Sequence, residues 1–481
     1  MTDLMRTFNP IIETYIQEEG ARPRFQAGLT PNGDDYFLSR LNLSGDSLAT
    51  VPFADEETWK HTEEFFVQDP LPFNQVALAQ ALFPDLDHFD RKNYAFEFVR
   101  WEILAEARCA VMDVRPHGNS KRRGFVGRIW VDDQNDSIVR FVGTFTEGFA
   151  RRAFHFSSWR LNIPGIGWMP AYVYTEESTP HDPSTHRFGF RAQTRVWGYD
   201  SKGQGASQNR GAAGSEDETT YPPEGAVVER AQVAGLMAPD GDVDRILEAV
   251  LNNLLVTNHL DITGLRCHVL LTTPLESFVM GRTIVLSRGL LDVVPDEATL
   301  AAVLAHELAH VILGHAVSAA YLRGLAWPFP DSQIFAALDF HFDSTEEKDA
   351  NKKAVELFSK SPYKDQAVNV GLFLQALDAR SGRFPNLLHG RFSNDFQSSI
   401  LVGMQGRIGS LPKTGPLNRI SALPLGSRIM IDPWSDRIEM LKSKPTRLMS
   451  AAEKIPFQVT PFYPRLKPQV GPEKPQNEAQ P

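Results

Sequence analysis

The sequence predicts an α+β protein with an antiparallel sheet in its N-terminal part, a flexible linker, and a mainly helical part after it. Three observations predict this class. From about Phe96 onward, short runs of alternating apolar and polar residues are separated by turn residues, as in half-buried strands. Residues 201–225 are rich in Gly, Ser, Ala, Gln and Glu, a composition typical of flexible linkers. Long helical segments follow, and the region from about 411 to 466 has further strand-like stretches that we expect to complete one of the sheets.

The first 94 residues are mixed. The stretches Tyr36–Leu43 and Glu63–Phe83 indicate helices or short strands and carry no chemical motif. We therefore treat residues 1–94 as a mixed region preceding the sheet.

Residues 95–200 contain the strand pattern. Phe125–Val131 and Ile138–Phe145 flank Asp132–Asp136, a run of turn residues that predicts a hairpin. Three further strands are predicted at Phe154–Leu161, Trp168–Tyr174 and Phe188–Tyr199. The result is an antiparallel sheet rich in Trp and Phe.

In strand pattern and turn spacing, the runs at residues 127–145 and 154–177 resemble the outer-membrane lipoprotein carrier and sorting fold, an open half-barrel that holds acyl chains. The resemblance covers about residues 95–200. The resemblance implies an apolar groove that takes a lipid or lipoprotein, and a bacterial protein of the periplasm or cell envelope. The groove would be lined by Trp130, Phe141, Trp159 and Trp168. The alternative is that these four aromatic residues are simply the core of the sheet.

The chemistry is carried by His306-Glu307-Leu308-Ala309-His310, an HExxH motif within the apolar run from Leu300 to Val317. On a helix, positions i and i+4 share one face, so both imidazoles can reach one metal ion. Zinc lowers the pKa of bound water to about 7, and a carboxylate beside it can take the proton. Glu307 is therefore the candidate general base. Asp296 is a good N-cap for this helix, and the apolar residues around it predict burial.

Two histidines do not complete a zinc site. The positions of the metzincin glycine and third histidine hold Leu313 and Ala316, which excludes that class. His315 would lie on the far side of a continuous helix from His306, so we interpret it as a packing residue or a neighbour of a ligand.

A later helical segment, predicted from Ser344 to about Ser359 and capped by Ser344 or Thr345, offers a glutamate. Within it, Glu347 through Asn351 matches the pattern ExxAN.

With this pattern, residues 228–380 resemble the HtpX-like and CAAX-prenyl-protease-like zinc metallopeptidases, which are gluzincins with HExxH followed by ExxAD. The resemblance implies one zinc ion per chain on His306, His310 and Glu347. Asn351 stands where the family has an aspartate that orients a zinc-bound histidine, so this chain lacks the charge that raises ligand basicity. The rival third ligands are Asp343, Glu346, Asp349 and His341.

The same resemblance extends upstream of the motif. Thr283–Leu291 is similar to the family's edge strand and following turn, which can pair with an extended substrate. A helix near Val243–Val256 and a strand at Cys267–Thr272 fit the same architecture.

Composition excludes several other classes. A net charge of −10 and a pI near 5.8 argue against a nucleic-acid partner. Cys109 and Cys267 are too few for a disulfide framework, and neither belongs to a CxxC pair. We expect no transmembrane span, because each apolar run of sufficient length contains charge or histidine, and residues 1–17 show no export signal.

The predicted organisation is therefore a mixed region (1–94), a lipoprotein-carrier-like sheet (95–200), a linker (201–225), a zinc metallopeptidase domain (226–410), a C-terminal region completing a sheet (411–466) and a disordered tail (467–481).

The leading functional hypothesis is a zinc-dependent metalloendopeptidase with a protein or peptide substrate, with envelope proteins or lipoproteins as the implied class. His389 and Arg391 are candidates for stabilising the oxyanion, although no spacing fixes them. Two alternatives stay open: a lipid- or lipoprotein-binding module with a degenerate peptidase domain, and a structural zinc site.

Overall fold

The computed structural model describes residues 8–19, 31–44, 47–52, 75–86, 88–104, 107–117, 124–146, 154–163, 165–177, 189–199, 224–315 and 342–367, with parts of 370–388 and 429–440. The predicted linker up to residue 223 and the predicted tail lie outside these ranges. Residues 224 and 225 already belong to a helix.

An open antiparallel sheet of ten strands forms the N-terminal part of the described chain, in the order β3-β2-β1-β10-β9-β8-β7-β6-β5-β4. The strands are β1 (Ile11–Glu19), β2 (Pro31–Ser44), β3 (Ser47–Pro52), β4 (Tyr94–Leu104), β5 (Ala107–Pro116), β6 (Phe125–Asp132), β7 (Ile138–Phe145), β8 (Phe156–Ile163), β9 (Gly167–Glu177) and β10 (Gly189–Trp197).

The predicted antiparallel sheet is thus confirmed, but it is larger than residues 95–200. Three of its strands come from the region that we treated as mixed, and β1 pairs along its whole length with β10. No local pattern predicts this pairing, because the two strands are far apart along the chain and no turn connects them.

The two faces of the sheet carry different cores. Phe141 packs with Phe125, Ile129 and the short helix α1 (Gln75–Gln80) on one face. The indoles of three other residues, Trp130, Trp159 and Trp168, pack together on the opposite face. The four aromatic residues therefore do not line one groove. Neighbouring residues of a strand point to opposite faces, so Trp130 and Phe141, whose register partners are Arg140 and Ile129, fall on different sides.

The helical part begins with α2 (Glu224–Val233) and α3 (Asp242–Thr257), followed by a small sheet of β11 (Arg266–Leu270), β12 (Ser277–Met280) and β13 (Thr283–Ser287). The helices α4 (Arg288–Val293), α5 (Glu297–Leu313) and α6 (Ser344–Lys360) complete it, and a short 3₁₀ turn follows at Lys364–Gln366. The predicted helix and strand near residues 243 and 267 correspond to α3 and β11.

The expectation that Thr283–Leu291 begins with an edge strand was wrong. In the order β11-β13-β12, β13 is central, parallel to β11 and antiparallel to β12. All five residues of β13 are buried, as expected for a strand covered on both faces. Within the described part of the chain, β12 is the edge strand on the side of α5.

The large sheet and the helical part share an apolar interface. Ile11 and Leu38 pack against α2 and against Phe278 and Met280 of β12. Tyr15 enters the core around α3 and α5. Since alternate residues of β1 share a face, Ile11, Glu13 and Tyr15 all point toward the helical part, whereas Ile12 and Ile16 point into the core on the other face.

The strands β14 (Ile429–Asp432) and β15 (Arg437–Met440) pair with each other. We expected this region to complete one of the two other sheets, but its described strands form a separate two-stranded sheet. Within the residues that the structure describes, no helix combines the length and apolar character needed to span a membrane.

Candidate metal centre

The helix α5 holds the HExxH motif in a fixed position. Asp296 caps its N-terminus by accepting hydrogen bonds from the backbone N and Oγ1 of Thr299 at 2.8 and 2.7 Å. Every residue from Ala298 to His310 is buried, which confirms the predicted burial of the helix. The helix ends where Gly314 adopts the left-handed conformation, with φ of 68°.

Three side chains bring their nitrogen and oxygen atoms close together beside this helix. His310 Nε2 lies 3.2 Å from His306 Nε2. The carboxylate oxygens of Glu347 lie 3.4 Å from His306 Nε2 and 3.9 Å from His310 Nε2. A tetrahedral zinc ion with bonds of about 2.0–2.1 Å separates its ligand atoms by about 3.3 Å. The spacing of these three groups therefore fits zinc. Glu347 Oε2 is buried and accepts no hydrogen bond from the described residues, as expected for an oxygen that faces a cation.

Glu347 reaches the site because α6 packs against α5. The cap of α6 is Asp343, whose carboxylate accepts hydrogen bonds from Thr345 N and Glu346 N. The prediction that Ser344 or Thr345 caps this helix was therefore wrong by one or two positions. Glu346 completes the capping box by accepting from Asp343 N at 3.1 Å.

The rival ligands are accounted for where the structure describes them. Asp343 and Glu346 are engaged at the cap, and Asp349 is exposed. His341 lies outside the described residues, as do the oxyanion candidates His389 and Arg391.

The two histidines differ in their electrostatics. Burial, together with the charges of His306 and His315, lowers the pKa of His310 to about 2, so this imidazole stays neutral. Burial also lowers the pKa of His306, but the nearby carboxylates of Glu347 and Glu307 outweigh it and raise the pKa overall. The site thus concentrates negative charge around imidazoles, an arrangement that favours a bound cation.

His315 is a neighbour of a candidate ligand, as we interpreted it, but for a different reason. Because the helix ends at Leu313, the chain turns at Gly314 and His315 returns toward the site instead of continuing around the helix. His315 Nδ1 lies 2.9 Å from His310 Nδ1. If His310 binds metal through Nε2, its Nδ1 carries the proton and donates a hydrogen bond to His315. Phe342 stacks on the same ring, with 3.9 Å between centroids.

Asn351, the second position carried over from the family pattern, is fully buried on α6. Its amide is one of the groups that raise the pKa of the His306 imidazole. The role of Asn351 in orienting His306 stays a prediction from the family pattern.

One contact at the site was missed by the sequence reasoning. Ser277, the first residue of β12, donates a hydrogen bond from Oγ to Glu307 Oε1 at 2.6 Å. Ser277 and Glu307 are 30 positions apart, and nothing in the local sequence marks a serine in a short apolar strand as a partner of the motif. Only the packing of α5 against β12 brings the two together.

Comparison with known proteins bears on this region directly. Residues 240–338 match the model of peptidase family M48. The match covers α3, the small sheet and the HExxH helix, and it ends before Glu347. It supports a metallopeptidase function for this part of the chain, in a family of zinc metallopeptidases, as the sequence resemblance implied.

No curated protein matches the chain. Among solved structures, the chain is similar to a LolA superfamily protein from Nitrosomonas europaea, at 11% identity, over 40% of this chain and 84% of that chain, with a TM-score of 0.18. A TM-score this low carries no argument about ligand or location. The lipid partner and the envelope location therefore stay predictions from the sequence.

Proposed function

We propose that this protein is a zinc-dependent metalloendopeptidase. The observation that supports it best is the near-tetrahedral spacing of His306, His310 and Glu347 beside the carboxylate of Glu307. His306, Glu307 and His310 lie on one helix that the match to peptidase family M48 covers, while Glu347 comes from the next described helix.

In this proposal, His306, His310 and Glu347 hold one zinc ion. Zinc bound there would polarise the scissile carbonyl and lower the pKa of a water molecule. Glu307 takes the proton of the attacking water and delivers it to the leaving amine. His310 contributes as a neutral ligand, because burial and its two histidine neighbours keep it deprotonated.

The proposed substrate is an extended segment of a protein or peptide. Extended chains bind by adding a strand to the edge of a sheet. The strand β12 is the edge of the small sheet in the described residues, and its first residue contacts Glu307. We therefore propose β12, rather than β13, as the strand that aligns the substrate. Envelope proteins or lipoproteins stay the proposed class on the sequence resemblance of residues 95–200 alone.

The alternative of a lipid-binding module gains no support from the faces of the sheet, since the four aromatic residues proposed for a groove lie on two sides. The alternative of a structural zinc site does not explain why Glu307, 2% exposed, is held beside the candidate ligands. A purely structural site closes with a fourth protein ligand and needs no base.

The first experiment is the zinc content of protein purified without added metal. We expect about one zinc per chain in the wild type and none in Glu347→Ala. Asp349→Ala, which removes an exposed carboxylate from the same helix, is the matched control and should keep its zinc. Glu307→Gln should also keep zinc while its peptide hydrolysis falls by at least about 100-fold.

Two results would contradict this proposal. If the wild-type protein stayed free of zinc after reconstitution, the three candidate ligands would not form a working zinc site. Full hydrolysis by Glu307→Gln would remove the proposed base.

A further inference from the structure

The contact between Ser277 and Glu307 is buried on both sides. Ser277 is 6% exposed and Glu307 is 2% exposed, and the Oγ to Oε1 distance of 2.6 Å is that of a charge-assisted hydrogen bond. A buried carboxylate without such a partner is costly, and a glutamate side chain has several rotamers to choose from. The serine hydroxyl is therefore one of the groups that hold the Glu307 carboxylate in its position.

The position of Ser277 is itself fixed by the chain before it. Four hydrogen bonds, to three different segments, hold the backbone of residues 272–276. They join Gly289 N to Thr272 O (2.9 Å), Thr273 N to Glu13 Oε1 (2.5 Å), Leu275 N to Leu387 O (2.7 Å) and Glu276 N to Ser287 Oγ (2.9 Å). Ser287 N also donates to Glu276 O at 2.8 Å, which starts the ladder between β13 and β12.

One of these four anchors comes from the large sheet. Glu13 lies on β1 and is bound by Arg195 on β10, so the loop before β12 rests on a buried ion pair of the other domain. The serine hydroxyl is thus placed by tertiary contacts from both parts of the molecule, which is how a precisely oriented group is usually supported.

We propose that Ser277 is a positioning residue for the peptidase reaction: its hydroxyl fixes the rotamer of Glu307 so that this carboxylate meets the attacking water. The inference rests on the proposed function, and it assigns a role to a residue outside the metal-binding motif. Ser277 acts through Glu307 and does not itself contact the reacting atoms.

The test compares Ser277→Ala and Ser277→Thr, each made alone and together with Glu307→Gln, in the full-length zinc-loaded protein. For Ser277→Ala we expect kcat to fall by about 10–100-fold, with KM, zinc content and melting temperature nearly unchanged, because only the orientation of the base is lost. Ser277→Thr keeps the hydroxyl and suits a strand, so it should recover kcat to within about threefold. In the Glu307→Gln background, Ser277→Ala should cause no further loss.

Two kinetic outcomes would overturn the inference. One is an unchanged kcat in Ser277→Ala. The other is an equal loss from Ser277→Ala in both backgrounds, which would mean that the serine does not act through Glu307.

A crystal structure of zinc-loaded Ser277→Ala tests the same inference without any assay of activity. We expect the Glu307 carboxylate to occupy another rotamer in this variant, and the wild-type rotamer in Ser277→Thr. An unmoved carboxylate would refute the positioning role, whether or not the protein cleaves peptides. Absence of hydrolysis in the wild type, with a moved carboxylate in the variant, would instead count against the proposed function alone.

Discussion

The ion pair between Glu13 and Arg195 offers the sharpest test of how the large sheet is joined to the helical part. The two residues are direct register partners on β1 and β10. Their side chains face the loop before β12, where Glu13 accepts hydrogen bonds from the backbone N and Oγ1 of Thr273 at 2.5 and 2.9 Å. Tyr36 also donates to Glu13, at 2.9 Å. The perturbation is Glu13→Gln, which keeps the shape of the side chain and removes its charge.

The expected loss can be worked from the burial of the partners. Glu13 is 2% exposed and Arg195 is 9% exposed, so water cannot replace the carboxylate. Every contact to the Glu13 carboxylate described above comes from a hydrogen-bond donor. In Glu13→Gln, one accepting oxygen is replaced by an NH₂ group, which is itself a donor and cannot accept a hydrogen bond. Breaking one side of a buried ion pair costs about 3–5 kcal/mol, because the remaining charge stays buried. We expect the free energy of unfolding to fall by that amount.

The assay is urea denaturation at neutral pH, followed by both tryptophan fluorescence and far-ultraviolet circular dichroism. Glu97→Gln is the matched control, since Glu97 is an exposed glutamate on β4 of the same sheet. Its effect should stay within about 0.5 kcal/mol. A loss below about 1 kcal/mol for Glu13→Gln would refute the reasoning, because it would mean that the loop before β12 does not rest on the ion pair.

Three further predictions follow from single contacts. His315→Phe should weaken zinc affinity by about 10–100-fold in a chelator competition, because His310 loses the acceptor for its Nδ1 proton; unchanged affinity would exclude that role. Burial raises the pKa of Asp244 to about 6, so the folded state keeps a proton that the unfolded state releases above about pH 4, and stability falls as the pH rises through this window. Asp244→Asn should remove that fall: its free energy of unfolding in urea should exceed that of the wild type by about 1.5 kcal/mol at pH 8, after allowance for solvent screening, and should equal it at pH 4. Equal gains in stability at the two pH values would contradict the raised pKa of Asp244. Gly289→Ala should destabilise the protein by about 3 kcal/mol or more, since its Cβ would stand 1.7 Å from the backbone oxygen of Thr273, and a melting temperature equal to that of the wild type would be inconsistent with the packing.

Local patterns in the sequence were sufficient to predict some of the helices and strands of this protein. The HExxH spacing, the apolar surroundings and the Asp296 cap predict a buried helix with both imidazoles on one side, and each of these is a property of neighbouring positions on one helix. The hairpin of β6 and β7 is likewise set by alternation and by the turn residues between the strands. The glutamate at 347 was found only because a family resemblance pointed to it.

Contacts between distant segments determined the remaining strand pairings and the groups that contact the candidate site. The pairing of β1 with β10, the edge position of β12 and the hydrogen bond from Ser277 to Glu307 join residues whose separation leaves no periodic trace in the sequence. The helical-wheel argument did not predict the geometry of the contact between His315 and His310, because a left-handed Gly314 ends the helix before His315. Periodicity and capping report how a segment folds locally, whereas the neighbours of each face depend on which segments pack together to bury their apolar surface. The buried helix and the shared face of its two histidines could thus be predicted from the motif's own residues, and the groups that contact the motif were determined by tertiary packing.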